Sequence, residues 1–265
     1  MILSSENYFS KEANAEYISV SQYKDFIGTP HSHGCEAYAM AKLEELWKDE
    51  QGVALLVGSY VDFHFEGTLP QFKASHPEIF TKQGGLKAEY RKAEDIIFRI
   101  ERDEYFMKFL NGEKQVIMTG EIAGAKFKIK IDSYIPDKCI VDLKIMKSIR
   151  DLFYVPEKGK VSFISQYGYD IQGSVYQEIV RQNTGKVLPF YIAAASKEAV
   201  TDIEIIQLDD DIMAFKLAEV ALNVPKILGL KRKEIEPERC GICDYCKFTK
   251  KLTAPISQND LSSIF

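Results

Sequence analysis

Residues 113–145 restrict the possible folds more than any other part of this 265-residue chain. "KQVIMTGEI" (114–122) and "AKFKIKIDSYI" (125–135) alternate apolar and polar residues, the period of two expected of half-buried strands. Gly124 stands between them. A third stretch, "CIVDLKI" (139–145), follows "PDK" (136–138), a turn with proline at its first corner. Strands joined this closely run antiparallel. Yet the run carries residues that strands and cores disfavour, Asp132, Asp142 and Lys144. Folding the hairpin at Pro136-Asp137 opposes residues whose numbers sum to about 273, so Asp132 nearly faces Asp142, with Cα atoms ~5 Å apart. Two carboxylates so close repel unless a cation lies between them. A hard divalent ion such as Mg²⁺ takes oxygen ligands of this kind. Lys144 shares the face of Asp142 and can orient a water or offset phosphate charge. A solvated sheet face with ordinary charges is the competing reading.

The remaining chain reads as helices around these strands. Residues 35–51 form an amphipathic helix stopped by Gly52. Residues 53–66 are apolar and fit a helix or a strand. Residues 86–110 read as one long helix ending at Asn111-Gly112, and 163–182 as a helix stopping near Gly185. "KVLPFYIAAAS" and "TDIEIIQL" are strands, and 209–228 is a helix with acidic N-cap candidates. The order predicts an α/β or α+β sheet flanked by helices. On the 163–182 helix, Tyr169, Gln172 and Tyr176 fall at spacings of three and four on one face.

Composition narrows the class. A chain that is 46% hydrophobic suits one full-cored domain, and no stretch approaches the ~18 apolar residues of a membrane span. The first residues lack a basic and apolar leader, which makes the cytoplasm the simplest location. The net charge of −5 argues against bulk binding to nucleic acid, while lysine clusters leave room for a local basic groove. Five cysteines, an odd number, speak against a disulfide framework. Cys240, Cys243 and Cys246 have metal-ligand spacing and need a fourth ligand. Cys139 faces away from Asp142, toward the core, so Cys35 is the better candidate.

Asp132, then "DLK" with Asp142 and Lys144, then a helix with Gln172 and Tyr176, resembles the PD-(D/E)xK nuclease superfamily. The pattern is most similar to its RecB-like branch, which holds the RecB and AddB nuclease domains, lambda exonuclease and the phage or prophage RecE-type exonucleases. "GSYVDFHFEG" supplies the upstream glycine and histidine of that branch, Gly58 and His64. Ser19, Ser21 and Cys35 resemble its N-terminal opening, and "FYIAAASKE" (190–198) a late family strand. The resemblance implies a restriction-endonuclease-like mixed central sheet flanked by helices. It implies a single domain over 1–265, with an N-terminal helical segment (17–50) packed on a Cys-rich C-terminal segment (231–250).

The resemblance also implies roles. Asp132 and Asp142 would ligate Mg²⁺ or Mn²⁺ with help from the Leu143 carbonyl and His64. Lys144 would position the attacking water, and Gln172 and Tyr176 would contact the phosphate or the lysine. Glu66 and Glu121 are candidates for an extra carboxylate. AddB and the CRISPR-associated adaptation nucleases have a similar layout of one early and three late cysteines around a [4Fe–4S] cluster. Their last spacing is longer, and zinc on Cys35, Cys240, Cys243 and Cys246 is the runner-up. The activity implied is a metal-dependent exonuclease at linear duplex DNA ends, working 5′ to 3′ in phage-type recombination beside a single-strand annealing protein. Other nuclease activities of the superfamily, or a non-catalytic DNA-binding module, are the alternatives. Oligomeric state is left open by the sequence.

Overall fold

The structure is a computed structural model that describes residues 1–156 and 158–261. Its centre is a five-stranded sheet in the order β1-β2-β3-β6-β7, made of β1 (Glu113–Ile122), β2 (Ala125–Ile135), β3 (Cys139–Met146), β6 (Phe190–Ser196) and β7 (Ile203–Gln207). A separate two-stranded hairpin is formed by β4 (Leu152–Val155) and β5 (Gly159–Ser162). All neighbours in the main sheet are antiparallel except β3 and β6. A parallel pair needs a long crossover. Here the crossover carries the hairpin, α8 (Phe163–Gln166) and α9 (Tyr169–Thr184).

Helices cover both faces. Before β1 come α1 (Lys11–Glu16), α2 (Val20–Ile27), α3 (Glu36–Leu43), α4 (Val53–Glu66), α5 (Leu69–Ser75), α6 (Lys92–Glu101) and α7 (Glu104–Leu110). After β7 come α10 (Asp210–Lys231), α11 (Asp244–Phe248) and α12 (Gln258–Leu261). One core joins α2, α9 and α10 to Phe127, Ile129, Ile131 and Ile140 of the sheet. The other joins α4, α6 and α7 to Val141, Leu143, Ala193 and Ala195. Because β3 and β6 are covered on both faces, they read as apolar runs rather than alternating ones. The expectation of a mixed sheet flanked by helices, the restriction-endonuclease-like fold, is met.

Three helix expectations need correction. The long helix over 86–110 is broken after Glu101, because the Asp103 side chain accepts from Phe106 N and starts α7 afresh. The helix expected over 35–51 ends at Leu43, with Glu45 at φ 63°, and Gly52 instead caps the start of α4. The helix expected over 163–182 breaks at Gly168, whose φ is 63°, and restarts as α9. Gly185 ends α9 as expected, in the left-handed conformation that glycine adopts without steric penalty.

The hairpin turns where expected. Lys138 N donates to Ile135 O (3.0 Å), with Pro136 and Asp137 at the corners and Asp137 at φ 62°. The register is Ser133↔Val141, Tyr134↔Ile140 and Ile135↔Cys139. Carried one pair further, it would oppose Asp132 and Asp142, but the ladder stops at Ser133. β2 and β3 part there. Further along, the freed edge of β2 pairs with Ile18, whose N donates to Lys126 O (2.8 Å) and whose carbonyl accepts from Lys128 N (3.0 Å). The N-terminal segment thus closes one side of a fork, β3 forms the other, and both acids stand where the fork opens.

Candidate active site

Asp132 sits in the crotch of the fork. Its Oδ2 accepts from Leu143 N (3.0 Å), so the carboxylate takes the hydrogen bond that a continuing ladder would have made. Its Oδ1 accepts from Gln115 Nε2 (3.4 Å), where β1 is also locally disrupted, with Gln115 at φ 53°. Asp142 is 3% exposed and reaches toward α9, where its Oδ1 accepts from Gln172 Nε2 (2.6 Å). Its Oδ2 lies 2.5 Å from Lys144 Nζ. That contact is an ion pair without the alignment of a directed hydrogen bond, so Oδ2 keeps a lone pair for another partner.

A third acid, absent from the sequence reading, completes the cluster. Asp62 of α4 lines a small pocket with Glu66, Lys114, Gln115, Asp132 and Leu143. Its Oδ1 is buried and has no hydrogen-bond partner among the described residues. Asp62 and Glu66, four apart, share one face of α4. The signal was available. Asp62 interrupts the apolar run "LLVGSYVDF" just as Asp132 interrupts its strand, and a buried acid without a reason is rare.

His64 is not brought to this cluster. Two residues from Asp62, it points about 200° away around the helix. Its Nε2 lies 2.8 Å from Glu101 Oε1 on α6, beside Tyr60 and Phe98. Motif order places a histidine here, but helical phase turns it from the acids. Between the candidate carboxylates, Glu66 stands at the site and Glu121 does not. Glu121 pairs with Lys126 beside the β1–β2 turn, and its backbone contacts Gln182. Leu143 lies between the two acids and also lines the acidic pocket.

The electrostatics are those of an over-charged, dry site. Burial, then repulsion from Asp142, pushes the Asp132 carboxyl up to about 7. Burial, then repulsion from Asp132, holds Asp62 well above the usual carboxylate range. Burial alone would lower the Lys144 ammonium, but Asp142 beside it reverses the sign and keeps it charged. Lys144 Nζ also stands 5.0 Å from the centroid of the Tyr169 ring. On the other side of the same ring's neighbourhood, Lys24 of α2 lies 5.2 Å from the centroid and donates to Tyr167 O (2.9 Å). Burial, then Lys144, brings Lys24 down to about 8. The face of α9 is therefore divided. Tyr169 meets the lysines, Gln172 meets Asp142, and Tyr176 donates to Lys130 O (3.1 Å) rather than to a lysine side chain. A divalent cation fits this donor set: hard oxygens, an orphaned carboxylate atom, and mutual repulsion that a cation relieves.

A second cluster lies where α3 begins and α11 begins. The ligand atoms of Cys35, Cys240, Cys243 and Cys246 all lie within 4.8 Å of one another. Cys35 Sγ is 3.6 Å and Cys240 Sγ 3.9 Å from Cys246 Sγ. Cys35 and Cys243 are N-caps, accepting from Tyr38 N (3.5 Å) and Cys246 N (3.4 Å), and Cys240 accepts from Cys243 N (3.3 Å). Burial opposes ionisation of Cys240, but the N–H groups of Cys243 and Ile242 overcome it and bring the thiol down to about 7. Burial holds Cys35 and Cys243 up. Cys139 lies in the sheet core, 6% exposed, as its strand phase required.

Residues 19–249 match the family described as a PDDEXK-like domain of unknown function, DUF3799. The chain belongs to that family. A crystal structure from Eubacterium rectale, described as a "Putative exonuclease", is 58% identical, covers 99% of both chains and superposes with a TM-score of 0.97. The structure of SSO0001 is 16% identical over 79% of this chain and 92% of its own, with a TM-score of 0.33 that supports no comparison. No protein with a curated description matches. Among the described residues no helix is long and apolar enough to cross a membrane.

Proposed function

We propose that this chain is a divalent-metal-dependent deoxyribonuclease that hydrolyses phosphodiester bonds at DNA ends. One observation carries the reading: Asp132, Asp142 and Asp62 converge, beside the charged Lys144, on a point where a buried carboxylate oxygen has no partner. Asp62, Asp132 and Asp142, with Glu66 at the rim, would hold Mg²⁺ or Mn²⁺. When bound, the ion would polarise the phosphate and offset the charge that develops on it. Lys144 stays protonated, so it acts as donor and charge rather than as base. It orients the attacking water and the non-bridging phosphate oxygen. Gln172 fixes the Asp142 carboxylate, and Tyr169 fixes the lysine.

The exonuclease mode is supported by the description of the 58% identical neighbour. We read 5′-to-3′ polarity, a role in phage-type recombination and an annealing-protein partner as the finer form of this proposal, over a single domain spanning 1–265. For the cysteine centre we favour zinc over the [4Fe–4S] cluster. Four thiolates around one tetrahedral ion stand about 3.8 Å apart, given Zn–S bonds near 2.3 Å. In a cubane each thiolate binds a different iron, so the sulfurs stand farther apart. The spacings of 3.6 and 3.9 Å support the single ion. The test of function is incubation with linear duplex, closed circular duplex and single-stranded DNA in Mg²⁺. The proposal expects loss of the linear duplex and survival of the closed circle. Cutting of the circle makes the enzyme an endonuclease, and no cutting of any substrate removes the proposal.

A further inference from the structure

Beside the acids lies a second cleft, of about 400 Å³, between the N-terminal segment and α9. Its floor is unusual. Lys128 is buried at 1% exposure, yet among the described residues it forms no ion pair with an acid. Its Nζ donates to Tyr8 O and to Asn14 Oδ1 (2.8 Å), and its own carbonyl accepts from the Tyr8 hydroxyl (3.4 Å). A buried lysine lowers stability unless its donors are satisfied. Here the satisfied donors pin the loop before α1 onto β2. That loop carries Phe9, which is 70% exposed and packs edge-on against Tyr8, with ring centroids 5.0 Å apart. The fold thus fixes an aromatic ring in solvent.

One cation stands over that ring. Lys130 Nζ stands 5.0 Å from the Phe9 centroid and, among the described residues, forms no ion pair with a carboxylate. Lys42, also on the cleft, is already paired with Asp25 (3.0 Å) and Asp49 (2.9 Å). Lys24 also lines the cleft. The cleft is one hydrogen bond from the chemistry, because Gln172 lines it and donates to Asp142. A fixed aromatic face with an unpaired cation beside it suits a nucleobase and its phosphate.

We propose that this cleft is a nucleotide subsite, in which one base of the strand being cut stacks on Phe9 while Lys130 and Lys24 hold the adjoining phosphate. This deepens the nuclease reading and rests on it for the identity of the strand. The cleft would hold the strand singly, so the nucleotide next to the scissile phosphate leaves the duplex before it is cut.

Binding tests this apart from hydrolysis. The probe is a fluorescein-labelled, phosphorothioate-linked single-stranded decadeoxynucleotide in Ca²⁺, read by anisotropy, with an otherwise identical decamer abasic at every position. Phe9→Ala should weaken the base-bearing decamer roughly 5- to 100-fold and leave the abasic one within twofold, as loss of a base–aromatic stack requires. Lys130→Gln should weaken both and flatten the dependence on salt. Phe9 is exposed, so its variant should keep the wild-type melting temperature. Wild-type affinity for both probes in both variants overturns the subsite, as does failure of the wild type to bind the decamer. A Phe9→Ala variant that only abolishes self-association, with DNA affinity unchanged, also overturns it and makes the ring a protein contact. If the wild type cuts no DNA while Phe9 still governs base binding, the nuclease reading fails and the subsite stands.

Discussion

At the acidic fork, carboxylates are crowded by the sheet itself. The backbone of β3 and the side chain of Gln115 grip Asp132, and Gln172 grips Asp142. At the cysteine centre the scaffold is built of caps and a short helix, with Ala37 N donating to Glu238 O (3.0 Å), Glu238 N to Glu36 Oε2 (2.9 Å), and Trp47 packing on Tyr245 and Phe248. At the fork, hydrogen bonds from the fold hold carboxylates that repel one another. The four cysteines of the second cluster are gathered with their Sγ atoms within 4.8 Å of one another. A site meant for turnover can be preformed at the expense of the empty protein's stability, whereas a staple adds stability only when filled.

Changes that break this contrast should differ in kind. The largest effect is expected from Asp142→Asn, Asp132→Asn or Lys144→Ala, each lowering DNA hydrolysis by about a thousandfold or more, the several kcal/mol that a metal site supplies. Calorimetry of the metal-free variants should show an unchanged or raised melting temperature for Asp132→Asn and a lowered one for Asp142→Asn, which leaves buried Lys144 without its ion-pair partner. A near-wild-type cutting rate in any of them would remove that residue from the site. Next comes Cys246→Ser. It should release the bound metal and lower the melting temperature by roughly 10 °C, about 3 kcal/mol in a chain of this size, with hydrolysis per folded molecule retained. One zinc per chain by elemental analysis supports the single-ion reading, and four irons with a brown absorbance restores the cluster.

Asp62→Asn sharpens the comparison from the acidic side. It should raise the stability of the metal-free protein by about 1–3 kcal/mol, as expected for removal of an uncompensated buried acid, while weakening Mg²⁺ affinity. Unaltered Mg²⁺ dependence would leave Asp62 as a packing acid. A pH titration is subtler. The folded Asp132 carboxyl lies near 7 and an unfolded one near 3.9, so the folded state binds this proton more tightly. The stabilisation is complete below about pH 4 and is lost as pH rises toward 7. Metal-free wild type should therefore lose stability across that window, and Asp132→Asn should flatten the loss. The smallest effect is expected at His64. Its contact with Glu101 is largely exposed, so His64→Ala should change stability by under ~1 kcal/mol and leave cutting within twofold.

Much of the fork was legible because strands report themselves by alternation and turns by their corner residues. β2 is found at the predicted bounds, and the hairpin register follows from Pro136-Asp137. What alternation cannot reveal is where a ladder stops. The three-pair length of the β2–β3 ladder depends on Ile18, more than a hundred residues away in sequence, taking over the free edge. Lys128 shows the same limit. Its phase gave its face, but its burial comes from the loop at Tyr8 lying over it. Periodicity also ran unbroken through Arg102-Asp103 and concealed a break that the local cap at Asp103 announces. Among the site residues, Asp62 is hard to place from sequence because the apolar run around it fits a helix or a strand, and only the helix sets it beside Glu66. The cysteine set was legible from spacing, because little else explains three cysteines at every third position.

The distance along the chain between Cys35 and its partners has a consequence in time. About two hundred residues separate it from Cys240. At the ~5–20 residues per second of protein synthesis, Cys35 waits roughly 10–40 s before the other three thiols exist. For that interval the nascent chain carries a thiol without the three others that the fold sets beside it. Oxidants, stray metal ions and disulfide partners compete for it before its own ligand set is made. Yield of correctly metallated protein should therefore respond to the redox state and metal supply during synthesis more than to conditions imposed on the finished chain.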